Sequence, residues 1–142
     1  MKKLVITGGS GFLGRNLVAS LKPKYKLFVG FRDPPPVIDE FDCFSFTLGV
    51  QSDFDKILDG VECVIHTAAA VHLSYYQRKH CKAEIFETNC EGTLHLAKQA
   101  ARAGVKRFIF ISTVGVNGEC SDLCFTELDT PNPRDSYSLS KY

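Results

Sequence analysis

Thr7-Gly8-Gly9-Ser10-Gly11-Phe12-Leu13-Gly14 follows directly on the apolar run Leu4-Val5-Ile6 and opens onto a segment whose Phe12, Leu13, Leu17, Val18 and Leu21 recur at helical spacing before Pro23. Strand, glycine-rich turn and helix in that order form a phosphate cradle. One glycine lets the chain turn, a second lets backbone approach a pyrophosphate, and a third lets the helix pack on the strand. The helix N-terminus then offers free N–H groups and a positive dipole to the anion. Two frames fit: G-x-G-x-x-G counted from Gly9, and G-x-x-G-x-x-G counted from Gly8.

Working outward, residues 3–7 are apolar without alternation, as in a strand buried on both faces of a parallel sheet. Residues 26–31 read as a second strand ending at Arg32, and Asp33-Pro34-Pro35-Pro36 as a loop. A third strand is expected over 43–48, then a short helix from Ser52, as N-cap, to Leu58 with Gly60 closing it. Residues 62–66 give a fourth strand, followed by Thr67-Ala68-Ala69-Ala70, small side chains that let a ligand approach a strand's carboxyl end. The stretch 71–81 has no clean period, and its His72, Tyr75, Tyr76 and His80 suit either a surface or a cleft wall. One long helix is expected over 83–103 with Gly104 as its stop, a fifth buried strand over 105–112, and a last helix capped by Ser136. The alternation predicts an α/β fold, a doubly wound parallel sheet of Rossmann type, in a single domain over 1–142.

Composition narrows the partners. Seventeen Lys and Arg against sixteen Asp and Glu leave a net charge of +1, so nothing favours nucleic acid or an anionic membrane as a partner. Met1-Lys2-Lys3 precedes too short an apolar run for a secretory leader, and no run reaches membrane-spanning length. The six cysteines include no C-x-x-C pair, and the close pair Cys120 and Cys124 reads as two unpaired loop thiols; a reducing cytoplasmic setting is expected.

Tyr137-Ser138-Leu139-Ser140-Lys141 adds chemistry. A spacing of four on a helix places the phenol and the ammonium on one face, where a nearby cation favours phenolate and prepares it for proton transfer. With T-G-G-S-G-F-L-G at 7–14, H-T-A-A at 66–69, N-x-x-G-T at 89–93 and Ser112-Thr113 at a strand end, the whole chain resembles the extended short-chain dehydrogenase/reductase family. Within it, the likeness is to the branch of nucleotide-sugar epimerases, dehydratases and ketoreductases, and to bacterial UDP-sugar 4-epimerases and 4-keto reductases in particular.

The resemblance implies an NAD(P)-dependent enzyme acting on a nucleotide sugar by hydride transfer. It selects the Gly8/Gly11/Gly14 frame, with Ser10, Phe12 and Leu13 completing the cofactor loop and Gly9 as a neighbouring turn residue. Tyr137 becomes the general acid/base, Lys141 the ribose ligand that lowers the Tyr137 pKa, and Thr113, or Ser112 beside it, the hydroxyl on the reacting oxygen. Asn89 holds the long helix in register, and Ala68 and Ala69 line the cofactor. At the end of the second strand an acid suits a ribose 2′-hydroxyl and an Arg suits a 2′-phosphate; the position falls on Arg32, which favours NADP over NAD, with Asp33 one step later, where a shift of one residue would favour NAD.

Two departures from the family pattern stand out. Thr47-Leu48-Gly49 replaces the usual Gly-Asp-Leu, which moves any adenine contact to Thr47 or to the backbone around Leu48. The chain also stops at Tyr142, before the strands and substrate region that family members carry, so it reads as an amino-terminal fragment, itself expected to be inactive, with apolar surface left for homodimerisation. Val114-Gly115 stands where the family's dehydratases carry acids, which disfavours dehydration. A dinucleotide-binding sensor without catalysis is the alternative reading.

Overall fold

The computed structural model describes residues 1–33, 40–71 and 82–142. Their five strands, β1 (Lys3–Thr7), β2 (Lys26–Phe31), β3 (Asp42–Ser45), β4 (Cys63–His66) and β5 (Arg107–Phe110), form one sheet in the order β3-β2-β1-β4-β5. Every pairing is parallel, as the unalternating apolar runs require. Thr7 lies opposite Gly30 on one side and His66 on the other, and His66 lies opposite Phe110. The carboxyl ends of four strands are thus level where the strand order reverses, the position at which open α/β sheets bind ligands.

Both faces of the sheet are packed. Val5, Val64, Phe46, Phe54, Leu58 and Leu96 fill one side, and Leu4, Ile6, Val18, Leu27, Val29 and Ile65 the other. Each such fully buried aliphatic side chain stabilises the fold by about 1.5–3 kcal/mol. Helix α1 (Phe12–Leu21) contributes Val18 to the second cluster, with Leu17 and Leu21 packed against it. Phe12 is 80% exposed and Leu13 39%, so the apolar face of α1 starts after the turn.

Several boundaries move from where the sequence put them. Helix α2 (Asp55–Leu58) begins after Ser52, which is not its cap. The Ser52 hydroxyl donates instead to the Thr47 carbonyl, and the Gln99 side-chain carbonyl accepts the Phe54 N–H at 2.7 Å. The expected long helix is three pieces: α3 (Lys82–Phe86), a π-helical stretch Glu87–Glu91, and α4 (Gly92–Arg102). A π stretch admits an extra residue per turn and often marks a functional segment. Here it contains Asn89. Strand β5 is not fully buried: it lies at the sheet edge with Ile109 38% exposed, because nothing among the described residues covers that side. Helix α5 (Ser136–Ser140) is capped by Asp135, one residue ahead of the expected Ser136. His72, Tyr75, Tyr76, His80 and the Pro34–Pro36 run lie outside the described residues.

Candidate functional site

Gly8 has φ +79, and a Cβ there would lie 2.7 Å from Thr67 Oγ1 and 2.8 Å from the Ala68 nitrogen, so β1 can enter the turn beside β4 only with glycine. The Gly11 N–H closes the turn onto the Gly8 carbonyl at 3.0 Å, and a Cβ at Gly14 would run into that same carbonyl. Gly8, Gly11 and Gly14 therefore make one unit, the frame the resemblance selects. Gly9 is more than a neighbouring turn residue, which corrects the expectation. Its N–H donates to the Gly30 carbonyl at 3.0 Å, and a Cβ would strike the Val29 and Phe31 side chains.

A cleft of about 640 Å³ opens over this turn. It collects Gly8, Ser10 and Gly11 from the loop, Arg32 from the end of β2, Thr47 and Leu48 after β3, Ala68 and Ala69 after β4, and Tyr137 from α5. These residues come from five separate parts of the sequence, and such a trough with a glycine cradle at its floor fits an extended dinucleotide. Asp33, the acid one step after Arg32, also lines it, as does Thr88 from the π stretch, which was not singled out in the sequence. Among the described residues, no ion pair involves Arg32. Phe12, Leu13, Gly14, Asn89, Ser112, Thr113 and Lys141 are not part of the lining.

Asn89 acts from behind the cleft. Only 1% exposed, it accepts from the Ala70 N–H at 2.7 Å and donates to the Ala70 carbonyl and to Ser140 Oγ, both at 3.0 Å. One side chain thus ties the segment after β4 to the helix that carries Tyr137. Asp135 holds that helix from its other end, its carboxylate accepting the Tyr137 and Ser138 N–H groups and the Ser138 hydroxyl. These bonds, led by that from the Ser138 hydroxyl, keep the Asp135 carboxyl below its ordinary range. Thr113, half-buried, begins a 3₁₀ turn (Val114–Val116), and its Oγ1 accepts the Gly115 N–H at 3.2 Å. Ser112 donates to the Lys141 carbonyl at 2.8 Å.

Lys141 is the residue after α5, and its N–H still donates to the Tyr137 carbonyl at 3.1 Å, the helical bond that the four-residue spacing implies. Its ammonium sits 4.1 Å over the Phe110 ring, and burial pushes it down to about 8. The Tyr137 phenol is shifted up, first by burial and then by the Asp135 carboxylate; its proton is held rather than loosened.

His66 ends β4 and is not part of the cleft lining. It is fully buried, with Nδ1 2.6 Å from Thr7 Oγ1 and Nε2 2.9 Å from Thr93 Oγ1, which gives the threonine of N-x-x-G-T its task. Burial, and then the Lys141 charge, push its pKa down to about 3. The fold thus holds a neutral imidazole that the unfolded chain protonates below about 6.5. The unfolded state binds more protons between those values, so stability falls as pH falls through that window, by about 2 kcal/mol at pH 5. Denaturant titrations at pH 7.5 and pH 5 should show this loss, and His66→Gln should reduce it; an equal loss in both proteins would contradict it.

Sheet order, glycine cradle and cleft define a dinucleotide-binding α/β protein. Residues 4–142 match the NAD dependent epimerase/dehydratase family, and the chain belongs to it. Of its relatives, the UDP-glucose 4-epimerase of Vibrio cholerae is 38% identical over 147 residues, covering 99% of this chain and 44% of that protein. A 3 beta-hydroxysteroid dehydrogenase/Delta 5-->4-isomerase of Mycobacterium tuberculosis is 30% identical over 125 residues, 80% of this chain and 32% of the relative. In structure, a short-chain dehydrogenase/reductase superfamily protein from Agrobacterium tumefaciens with bound NAD superposes with a TM-score of 0.82 at 25% identity, covering 98% of this chain and 42% of that one. The chain spans less than half the length of each of these proteins. No helix among the described residues is long and apolar enough to cross a membrane.

Proposed function

We propose that this chain is the amino-terminal, cofactor-binding part of a cytoplasmic enzyme that oxidises or reduces C4 of a nucleotide sugar, as a 4-epimerase. The observation that carries the reading is the cleft itself, which gathers the glycine turn, Arg32, Ala68, Ala69 and Tyr137 around one trough. Similarity to the Vibrio cholerae UDP-glucose 4-epimerase supports the substrate class. The glycine turn holds the pyrophosphate, and Thr47 with Leu48 flanks the adenine end. When bound, the nicotinamide supplies the acceptor and donor of hydride.

The chain's own groups move the proton. Tyr137, with its proton held, donates to the sugar oxygen as a C4 carbonyl is reduced and takes the proton back on oxidation. Thr113 donates a hydrogen bond to the same oxygen and polarises it. Lys141, whose ammonium lies over the Phe110 ring, is assigned to the nicotinamide ribose.

Arg32 favours a second reading, a 4-keto reductase using exchangeable NADPH. With no carboxylate paired to it among the described residues, its guanidinium is free for a 2′-phosphate. Arg32→Asp should weaken NADPH binding about tenfold or more and leave NADH binding within about twofold, as loss of a charge-assisted contact implies. Equal losses for both cofactors would remove Arg32 from this role. The function itself is tested by giving full-length protein UDP-glucose, and separately UDP- and dTDP-4-keto sugars with NADPH or NADH. Inversion of the sugar without net cofactor change selects the epimerase, and cofactor consumption the reductase. Cofactor binding with no turnover of any nucleotide sugar supports a sensor instead.

A further inference from the structure

Thr113 and Tyr137 lie 24 residues apart and on different elements, yet one reaction would need their hydroxyls on one oxygen. Two ties join those elements. At the far end of α5, Ser112 Oγ donates to the Lys141 carbonyl at 2.8 Å. At the near end the 3₁₀ turn touches α5 directly. A Cβ built on Gly115 would overlap Ser138 Oγ, while lying 3.4 Å from Ser138 Cβ and 3.6 Å from Thr113 Oγ1. Gly115 does not have a positive φ, so its backbone tolerates any residue and only Ser138 excludes a side chain there.

Ser138 cannot yield freely. It is 3% exposed, and its hydroxyl donates to Asp135, whose carboxylate also holds the Tyr137 N–H at 2.8 Å. Rotating Ser138 Oγ away would leave a buried hydroxyl without that partner. Keeping it in place would drive α5 away from the turn. We infer that the Gly115–Ser138 contact sets the spacing between the Thr113 hydroxyl and the Tyr137 phenol, which makes both of them positioning residues for the proton-transfer pair. This rests on the roles given above to Thr113 and Tyr137. On the strand side the two ties flank Thr113, at Ser112 and Gly115, and on α5 they follow Tyr137, at Ser138 and Lys141.

Kinetics of the full-length protein test it, on the nucleotide sugar it turns over. Gly115→Ala should lower kcat by about 10- to 100-fold, the cost of a misplacement near 1 Å, while cofactor affinity and KM stay within about twofold. Made in the Ser138→Ala background, where the overlapping oxygen is gone and the remaining Cβ sits at ordinary contact distance, the same change should cost less than about threefold. Wild-type kcat in Gly115→Ala, or an equal loss in both backgrounds, would overturn the inference. If Gly115→Ala fails to fold, the Ser138→Ala pair still decides: a double variant that folds with kcat within about threefold of Ser138→Ala alone supports the contact, and failure there overturns it. Tyr137→Phe separates the two levels. Turnover retained by Tyr137→Phe overturns the assignment of the pair, whereas its loss beside a normal Gly115→Ala overturns only the positioning.

Discussion

Tyr137→Phe is expected to lower turnover of the full-length enzyme by about 10³-fold, within the range for removal of a positioned acid/base, while cofactor affinity stays within about twofold. The asymmetry follows from where the phenol sits. Tyr137 reaches the cleft from α5, whereas the glycine turn, Arg32, Thr47 and the alanines enter it from the sheet side. The substitution removes one oxygen and leaves the ring, so α5 keeps its Asp135 cap and its link to Asn89. Because burial and Asp135 raise the phenol's pKa, the reductive direction should lose activity only at alkaline pH, as the proton is finally lost. Stopped-flow rates for Phe and Tyr forms against pH check both statements. A wild-type rate in the Phe form would remove Tyr137 from the chemistry.

Gly14→Ala should destabilise the protein by about 2 kcal/mol and weaken dinucleotide binding at least tenfold. Two principles disagree on its sign. Gly14 lies inside α1, where alanine is favoured over glycine by about 1 kcal/mol. The added methyl, however, would run into the Gly8 carbonyl, a backbone atom that cannot rotate aside, and the Gly11 N–H is bonded to that carbonyl. Overpacking against backbone typically costs about 1–3 kcal/mol and should win. Moving α1 also shifts the N–H groups that face the pyrophosphate. Urea unfolding and a cofactor titration measure the two effects; a more stable Ala form with normal affinity would show that helix propensity, rather than close packing, governs the site.

The fold was legible because its main features are local. Unalternating runs at 3–7 and 62–66 marked strands buried on both faces, and the glycine spacing marked the crossover between β1 and α1. What the sequence concealed depends on contacts between distant segments. The break in the expected 83–103 helix is invisible as periodicity, since Asn89 meets Ala70 and Ser140 only once the chain is folded. Asp135 and Ser136 are both good caps, and only the bonds to Tyr137 and Ser138 choose between them. The edge position of β5 could not be told from a buried strand, because Phe108-Ile109-Phe110-Ile111 reads alike in either place. At the site, Gly8, Ser10, Gly11, Arg32, Thr47, Leu48, Ala68 and Ala69 line one cleft, whereas Phe12, Leu13 and Gly14 do not. Lys141 keeps the helical bond from its N–H to the Tyr137 carbonyl, but its ammonium lies over Phe110 and outside that lining, a contact across the fold that spacing does not show.

The chain resembles both a protein named for a nucleotide sugar and one named for a steroid. A cofactor cradle shared across substrates would fit that pattern. The hydride chemistry proposed above would use residues of this chain. Full-length protein incubated with UDP-glucose deuterated at C4 tests it most directly, with NAD and NADP supplied in turn and the label followed by mass spectrometry. Hydride chemistry in the cleft predicts that deuterium leaves C4 and is recovered on nicotinamide or returned to the sugar, with none in the solvent. Deuterium released to water, or no inversion or oxidation of the sugar with either cofactor, would contradict it.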